Sequence, residues 1–93
     1  MITSLEPLAS TPGGIPRRRF WLDHRSRQQE AGAPREVRTR IAVILTGEPA
    51  RMSGLAEGRR VRVGGFLARA GYHGEARERL QLHAETVQYP ENE

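Results

Sequence analysis

Alternating apolar and polar positions divide most of the chain into short β-strands. In the segment that begins at Ile15, the side chains of Phe20, Leu22 and His24 fall on one face and the residues between them fall on the other. This period of two recurs in three later segments, and no segment shows a helical period longer than a turn or two. The four predicted strands are Ile15 to Arg25, Arg35 to Thr46, Arg60 to Arg69 and Arg79 to Tyr89. Residues 1–8 are partly apolar without a clean period, so the first strand is doubtful.

Glycine and proline mark the connections between these strands. The predicted connections are a turn at 11–14, a loop at 26–34, a connector with at most one helical turn at 47–58 and a hairpin loop at 70–77. Gly64-Gly65 interrupts the third of the four strands and predicts a bulge there. We therefore predict one all-β domain over residues 1–93, built as a small closed or partly open barrel. Residues 1–12 form its short N-terminal segment and residues 90–93 a polar tail.

The positive charge of the chain is concentrated in its first half. The net charge is +4, and all fifteen basic residues are arginine. Residues 17–40 hold eight arginines and three acids, whereas residues 41–93 hold seven of each. Many of the early arginines alternate with the apolar positions of the first two strands, which favours a polyanion-binding face. The alternative is an edge strand that is charged to prevent aggregation, and the pattern alone favours neither.

The composition indicates a folded domain with a thin core. Leu, Ile, Val and Phe account for 19 of the 93 residues, so oligomerisation would help to bury apolar surface. The longest apolar run, Ile41 to Leu45, is too short to span a bilayer. The N-terminus lacks the basic and then apolar pattern of a secretion signal, so we expect a cytoplasmic protein.

The sequence predicts no metal site, no cofactor and no enzyme. His24, His73 and His83 do not stand at a ligand spacing with Asp23 or Glu85, and there is no cysteine. His24 falls on the core side of its strand, where a hydrogen-bonded structural role is expected. The absence of lysine excludes a phosphate-binding P-loop.

Four segments resemble the family of primosomal replication protein N, PriB, which is related to the bacterial single-stranded-DNA-binding proteins. They are "GGIP" (13–16), "FWLDHRSRQQEAG" (20–32), "VRVGGFLA" (61–68) and "LQLHAE" (80–85). The most specific part is Phe-x-Leu-x-His-Arg-Ser followed by Glu-Ala-Gly. The resemblance covers residues 9–88, which is nearly the whole chain.

The resemblance implies a five-stranded OB-fold barrel that forms a homodimer and has no catalytic activity. It implies single-stranded DNA, the PriA helicase, a primosome loader protein and the single-stranded-DNA-binding protein as partners in the restart of stalled replication forks in the bacterial nucleoid. DNA is then expected on the outer faces of the early strands and on the loop between the last two. Those positions hold Arg17, Arg18, Arg19, Trp21, Arg25, Arg27, Arg38, Arg40, Arg69, Arg77 and Arg79.

The sequence departs from the family in two respects. Family members have a fuller first strand, so either the first strand is unusually short here or the chain start differs from that of its relatives. In addition, Ala33 and Arg38 replace aromatic stacking residues that some members carry. Base stacking would fall to the Arg38 guanidinium or move to Trp21 or Tyr72, both of which we predict as DNA-binding residues. Trp21 is equally compatible with burial at a subunit contact. That contact would use either the face of Ala42 and Ile44 or the first strand.

Two other functions remain open on the sequence. The missing aromatic residues, together with the acidic Glu75 and Glu78 of the predicted hairpin loop, suggest a protein–protein scaffold with weak or no nucleic-acid binding. An OB-fold that binds RNA is the third hypothesis.

Overall fold

The computed structural model describes residues 1–69 and 79–90, which form one sheet and a short 3-10 helix. The strands are β1 (Ile2–Leu5), β2 (Ala9–Ser10), β3 (Pro16–Glu30), β4 (Ala33–Thr46), β5 (Arg62–Arg69) and β6 (Leu80–Gln88), and the helix spans Glu48–Arg51. Their order in the sheet is β1-β3-β4-β6-β5, with β2 also paired to β3. Only β4 and β6 run parallel among these described pairs. The all-β prediction is confirmed.

The short first strand links the two ends of the sheet. The Ile2 amide donates to the Arg59 carbonyl at 2.9 Å, and the Gly58 amide donates to the Ile2 carbonyl at 2.7 Å. The segment that leads into β5 therefore pairs with β1 and partly closes the barrel. The Ile2 side chain is fully buried in this position. The core cluster consists of Ile2, Phe20, Leu22, Val43, Leu45, Ala50, Leu55 and Ala84.

The predicted loop over residues 26–34 is wrong, because β3 and β4 continue through it as one long hairpin. β3 ends at Glu30 and β4 begins at Ala33, which leaves only Ala31 and Gly32 for the turn. Their φ angles are 51° and 79°, the positive values that a two-residue type I′ hairpin requires. We call the outer part of this hairpin, residues 24–39, the arm. Its side chains are exposed or half-buried throughout, so no apolar alternation marks its strands.

The β5–β6 pair has a register shift, and the strand that carries the extra residue decides whether the alternation of β5 continues. Gly64 lies opposite Thr86 and Gly65 lies opposite Ala84, so the extra residue of the bulge, Glu85, belongs to β6. The predicted bulge position at Gly64-Gly65 is confirmed. Because β5 keeps its own alternation, Phe66 points away from the core and is exposed.

Gly65→Ala should destabilise the protein by about 1–3 kcal/mol, since an added methyl group would overpack the bulge. A Cβ at position 65 would overlap the His83 carbonyl oxygen and lie 2.9 Å from the Ala84 Cα, both of which are backbone atoms. Gly64→Ala is the matched control, because its Cβ would meet only the Thr86 hydroxyl, at 3.0 Å. Urea denaturation measures both variants. Equal free energies of unfolding for the two would contradict a backbone clash at Gly65.

Candidate nucleic-acid interface

Six of the predicted arginines lie on the face of the sheet opposite to the core. Residues that oppose each other in antiparallel strands share a face, and Phe20 opposes Val43 inside the core. The alternate pairs, such as Arg19 opposite Ile44, therefore belong to the other side of the sheet. We call this side of β3 and β4 the arginine face. It carries Arg17, Arg19, Trp21, Arg25, Arg27, Arg38 and Arg40.

The middle of the arginine face contains two cations that oppose each other, Arg25 on β3 and Arg38 on β4. Like charges in this position destabilise an antiparallel pair. Within the described residues Arg25 has no ion pair, and the Arg38 Nε is 3.8 Å from Glu36 Oε1. The next pair toward the barrel is Asp23 opposite Arg40, which are opposite charges. Arg25 and Arg38 are therefore a local excess of positive charge, which a bound anion would relieve.

The indole ring of Trp21 is in contact with two guanidinium groups of the same chain. The Cζ atoms of Arg19 and Arg40 lie 5.2 Å and 4.9 Å from the centre of the ring, within cation–π range. Arg19 Nε also lies 3.3 Å from Glu6 Oε2, and Arg40 Nε lies 3.9 Å from Asp23 Oδ1. Trp21 is half-buried. Arginine side chains thus already occupy part of the surface that a stacked base would need.

Two grooves follow the hairpin where the arm leaves the barrel. The larger has a volume of about 400 Å³, and the smaller has a volume of about 310 Å³. Arg25 lines both grooves, which makes it the central cation of this region. The larger groove is lined by Asp23, His24, Arg25, Arg38, Thr39 and Arg40, and the smaller by Arg25, Ser26, Arg27 and Glu36.

Comparisons with known proteins agree with this arrangement. A family model described as another single-strand binding protein family matches residues 1–86. Replication restart protein PriB of Vibrio parahaemolyticus is 39% identical over 82 residues, which are 85% of this chain and 80% of that protein. PriB of Haemophilus ducreyi is 33% identical, over 100% of this chain and 76% of its own length. This chain belongs to the PriB family of replication restart proteins.

Two solved structures have the same fold as this chain. The PriB structure from Ralstonia solanacearum superposes with a TM-score of 0.79 at 24% identity, covering 95% of this chain and 87% of that one. A deletion mutant of the single-stranded DNA binding protein from Thermus aquaticus superposes with a TM-score of 0.71 at 26% identity. The superposition covers 98% of this chain and 48% of that protein. The predicted OB-fold is thereby confirmed.

Arg18 is separated from the other arginines of its run. It opposes Leu45, which is a core residue, and it is therefore on the core side of β3 rather than on the arginine face. Its Nε donates a hydrogen bond to the Glu6 carbonyl at 3.0 Å. This contact ties the chain between β1 and β2 to β3, so Arg18 has a structural role.

The remaining predicted residues lie near the ends of β5 and β6. Arg69 and Arg79 are both exposed, and Arg69 opposes Leu80 on the side of the sheet that continues the core. Neither belongs to the arginine face. Tyr72 and Arg77 lie outside the described residues.

Ala42 and Ile44, the predicted face for a subunit contact, are already buried within a single chain. Their exposed fractions are 2% and 1%. They lie on β4, which is paired with β3 on one side and with the parallel strand β6 on the other, and they are on the same side of the sheet as the arginine face. They therefore offer almost no apolar surface to a second subunit.

One aromatic pair of this sheet was missed by the reasoning from sequence. Phe66 is 54% exposed, and its ring lies parallel to that of His83, with a centroid separation of 5.2 Å. The shared face of Phe66 and Ala68 was visible in the sequence. The sequence did not show which strand carries the extra residue of the bulge; because that strand is β6, β5 keeps its alternation and Phe66 points away from the core.

Other polar groups have structural roles. His24 was predicted on the core side of its strand, but it lies on the arm beyond the core and is exposed, and its Nε2 shares a 3.1 Å hydrogen bond with Ser26 Oγ. Burial lowers the pKa of the Met1 amino group, which donates to the Asp23 carbonyl at 2.7 Å, while the Asp23 charge opposes this shift.

Among the residues described, no cluster of three acidic or histidine side chains is placed to hold a metal. No helix in the same part of the chain is long and apolar enough to cross a membrane.

Proposed function

We propose that the protein is a non-catalytic single-stranded DNA-binding adaptor of the replication-restart primosome. It bridges the PriA helicase and a loader protein at stalled forks, acts beside the single-stranded-DNA-binding protein, and works as a homodimer in the cytoplasm. The observation that carries the DNA-binding part is the arginine face, with its opposed Arg25 and Arg38. Membership of the PriB family supports the role in replication restart.

The arginine face suits single-stranded DNA because its cations lie in rows along the two adjacent β-strands β3 and β4. Arginine binds phosphate oxygens in a bidentate way, and its planar group also stacks on bases. Binding of this kind depends little on sequence, since every nucleotide presents a phosphate and a flat base. The long arm carries the cations beyond the barrel, where they are accessible to the backbone of a bound strand.

The first test is fluorescence anisotropy of a labelled single-stranded oligonucleotide, with duplex competitor, over a range of salt concentrations. With about three to five phosphate contacts, the plot of log affinity against log salt should have a slope of about −2 to −4. An RNA oligonucleotide of the same sequence measures the preference between the two nucleic acids. A slope near zero would contradict phosphate binding by the arginine face.

The ion pairs of β3 and β4 favour one alternative function. Arg19, Arg35, Arg38 and Arg40 each have a carboxylate within ion-pair distance. These acids reduce the attraction of the arginines for phosphate. A scaffold that binds mainly proteins would not need that attraction. Absence of DNA binding at low salt, together with retained capture of purified PriA, would identify the protein as such a scaffold.

A further inference from the structure

Phe66 is an exposed aromatic residue on the same side of the sheet as the arginine face. It opposes His83 in the β5–β6 register, and His83 lies beside Ile44, which in turn opposes Arg19. Residues paired in this way share one side of a sheet. A bound strand that lies across the arginine face can therefore continue onto β6 and β5 without leaving that side.

The ring of Phe66 is held in a defined orientation by His83. The two ring planes are inclined by only 5°, and their centroids are 5.2 Å apart, which corresponds to an offset stack. Among the described residues Phe66 has no other ring or cation contact. A ring that is supported on one side and 54% exposed presents a flat apolar surface at little cost in side-chain entropy.

The other aromatic rings of the described chain are already engaged. Phe20 is fully buried, and two guanidinium groups lie over Trp21. The Arg59 Cζ lies 3.7 Å from the centre of the Tyr89 ring, whose hydroxyl donates to the Ser53 carbonyl. Binding of a single strand without sequence preference uses aromatic stacking as well as cations. Phe66 is the described ring that remains available for it.

The distance between Phe66 and the arginines fits one bound strand. Neighbouring strands of a sheet are about 4.8 Å apart. Three such steps separate β5 from β3, so Phe66 lies roughly 15 Å from the line of Arg19 across the sheet. An oligonucleotide of a few residues spans this distance with its phosphates on the arginines and one base at Phe66.

We propose that Phe66, supported by His83, is a nucleobase-stacking residue of the single-strand site. The inference rests on the proposed DNA-binding function and adds to it the position at which a base is held. The ligand is any base of a single strand, since each has a π-face. The ring thereby provides an aromatic stacking surface on β5. The arm has no aromatic residue at positions 33 and 38, where Ala33 and Arg38 stand.

The test compares Phe66→Leu with the wild-type protein on two labelled oligomers of equal length, an oligothymidylate and a fully abasic strand. The abasic strand carries the same phosphates and no bases. We expect Phe66→Leu to bind the oligothymidylate about tenfold more weakly, because one base loses its aromatic partner, and to bind the abasic strand unchanged. Phe66→Trp should keep the wild-type preference for the oligothymidylate. The slope of affinity against salt should be the same in all three proteins.

Trp21→Leu is the matched control, since it also replaces an aromatic ring on this side of the sheet. It disturbs the arginines that contact the indole, so its effect should be equal on both oligomers. An equal loss on both oligomers for Phe66→Leu would overturn the stacking role, and so would unchanged binding to the oligothymidylate. If the wild-type protein bound neither oligomer, the proposed DNA-binding function would fail as well, which distinguishes the two failures.

Discussion

Replacing Arg25 and Arg38 together by Ala is expected to weaken single-strand binding by about 30-fold at about 0.1 M salt. Each phosphate contact with a single strand releases about 0.7 of a counterion, which is worth about 1 kcal/mol at this salt concentration. Loss of two contacts therefore costs about 2 kcal/mol, and the salt slope should become shallower by about 1.4. Titration of a labelled oligonucleotide by anisotropy at several salt concentrations measures both quantities.

A matched variant separates the position of the charges from their number. Arg35 and Arg51 lie off the arginine face, the first paired with Glu30 and the second on the 3-10 helix. The double change of these two residues to Ala lowers the net charge by the same amount. We expect it to reduce the affinity by less than about threefold, through the weaker long-range field alone. If both double variants lost affinity equally, net charge rather than the arginine face would account for binding.

The Arg25 and Arg38 variant also has a consequence for stability. The two cations oppose each other without a bound anion, so removing them should leave the free energy of unfolding unchanged or slightly higher. A loss of stability above about 1 kcal/mol would show that the arginines support the hairpin. The affinity change would then have to be attributed to folding.

Phe20→Ala is expected to lower the free energy of unfolding by about 3–5 kcal/mol. Phe20 is fully buried, opposes Val43 in β4 and pairs with Leu5 of the short first strand. Truncation leaves a cavity at the point where β1, β3 and β4 meet. Small domains are stable by only about 5–15 kcal/mol in total, so this single change should remove a large fraction of the free energy of unfolding.

Phe66→Ala is the control for the Phe20 variant, because it removes the same side chain from an exposed position. The lost stack with His83 should cost less than about 1.5 kcal/mol. Urea denaturation followed by circular dichroism, at one fixed protein concentration, compares the two variants. Equal destabilisation would contradict the assignment of Phe20 to the core and of Phe66 to the surface.

The two surfaces of this sheet have different physical roles. The core side holds the barrel together through a small set of aliphatic side chains and Phe20. On the other side, Ala42 and Ile44 are buried and lie opposite Trp21 and Arg19 in the register of β3 and β4. The contacts of Arg19 and Arg40 with Trp21 limit the freedom of these two guanidinium groups before DNA is bound.

The sequence by itself determined the strand character, the local concentration of positive charge and the family. Alternation of apolar and polar residues located the start of β3 and the bounds of β4, β5 and β6 to within about two residues, because a strand with one buried face must place an apolar side chain at every second position. The same alternation assigned Phe20 and Leu22 to the core and the early arginines to the opposite side. The helical turn at Glu48–Arg51 was also within reach, since Pro49 and the flanking glycines mark it.

Only the tertiary structure decided the length of the arm, the phase of β5 and the surroundings of Trp21. The arm is solvated on both faces, so hydrophobicity carries no signal there and backbone pairing alone extends the strands through residues 26–30. Phe66 points outward because the extra residue of the bulge lies in β6 and β5 keeps its alternation, and no local pattern in β5 reveals which strand carries that residue. The contact of Arg40 with Trp21 joins two strands, and it brings together residues that are distant in sequence. Each of these features arises from pairing between strands, and a period read along one strand contains no information about the register of its neighbour.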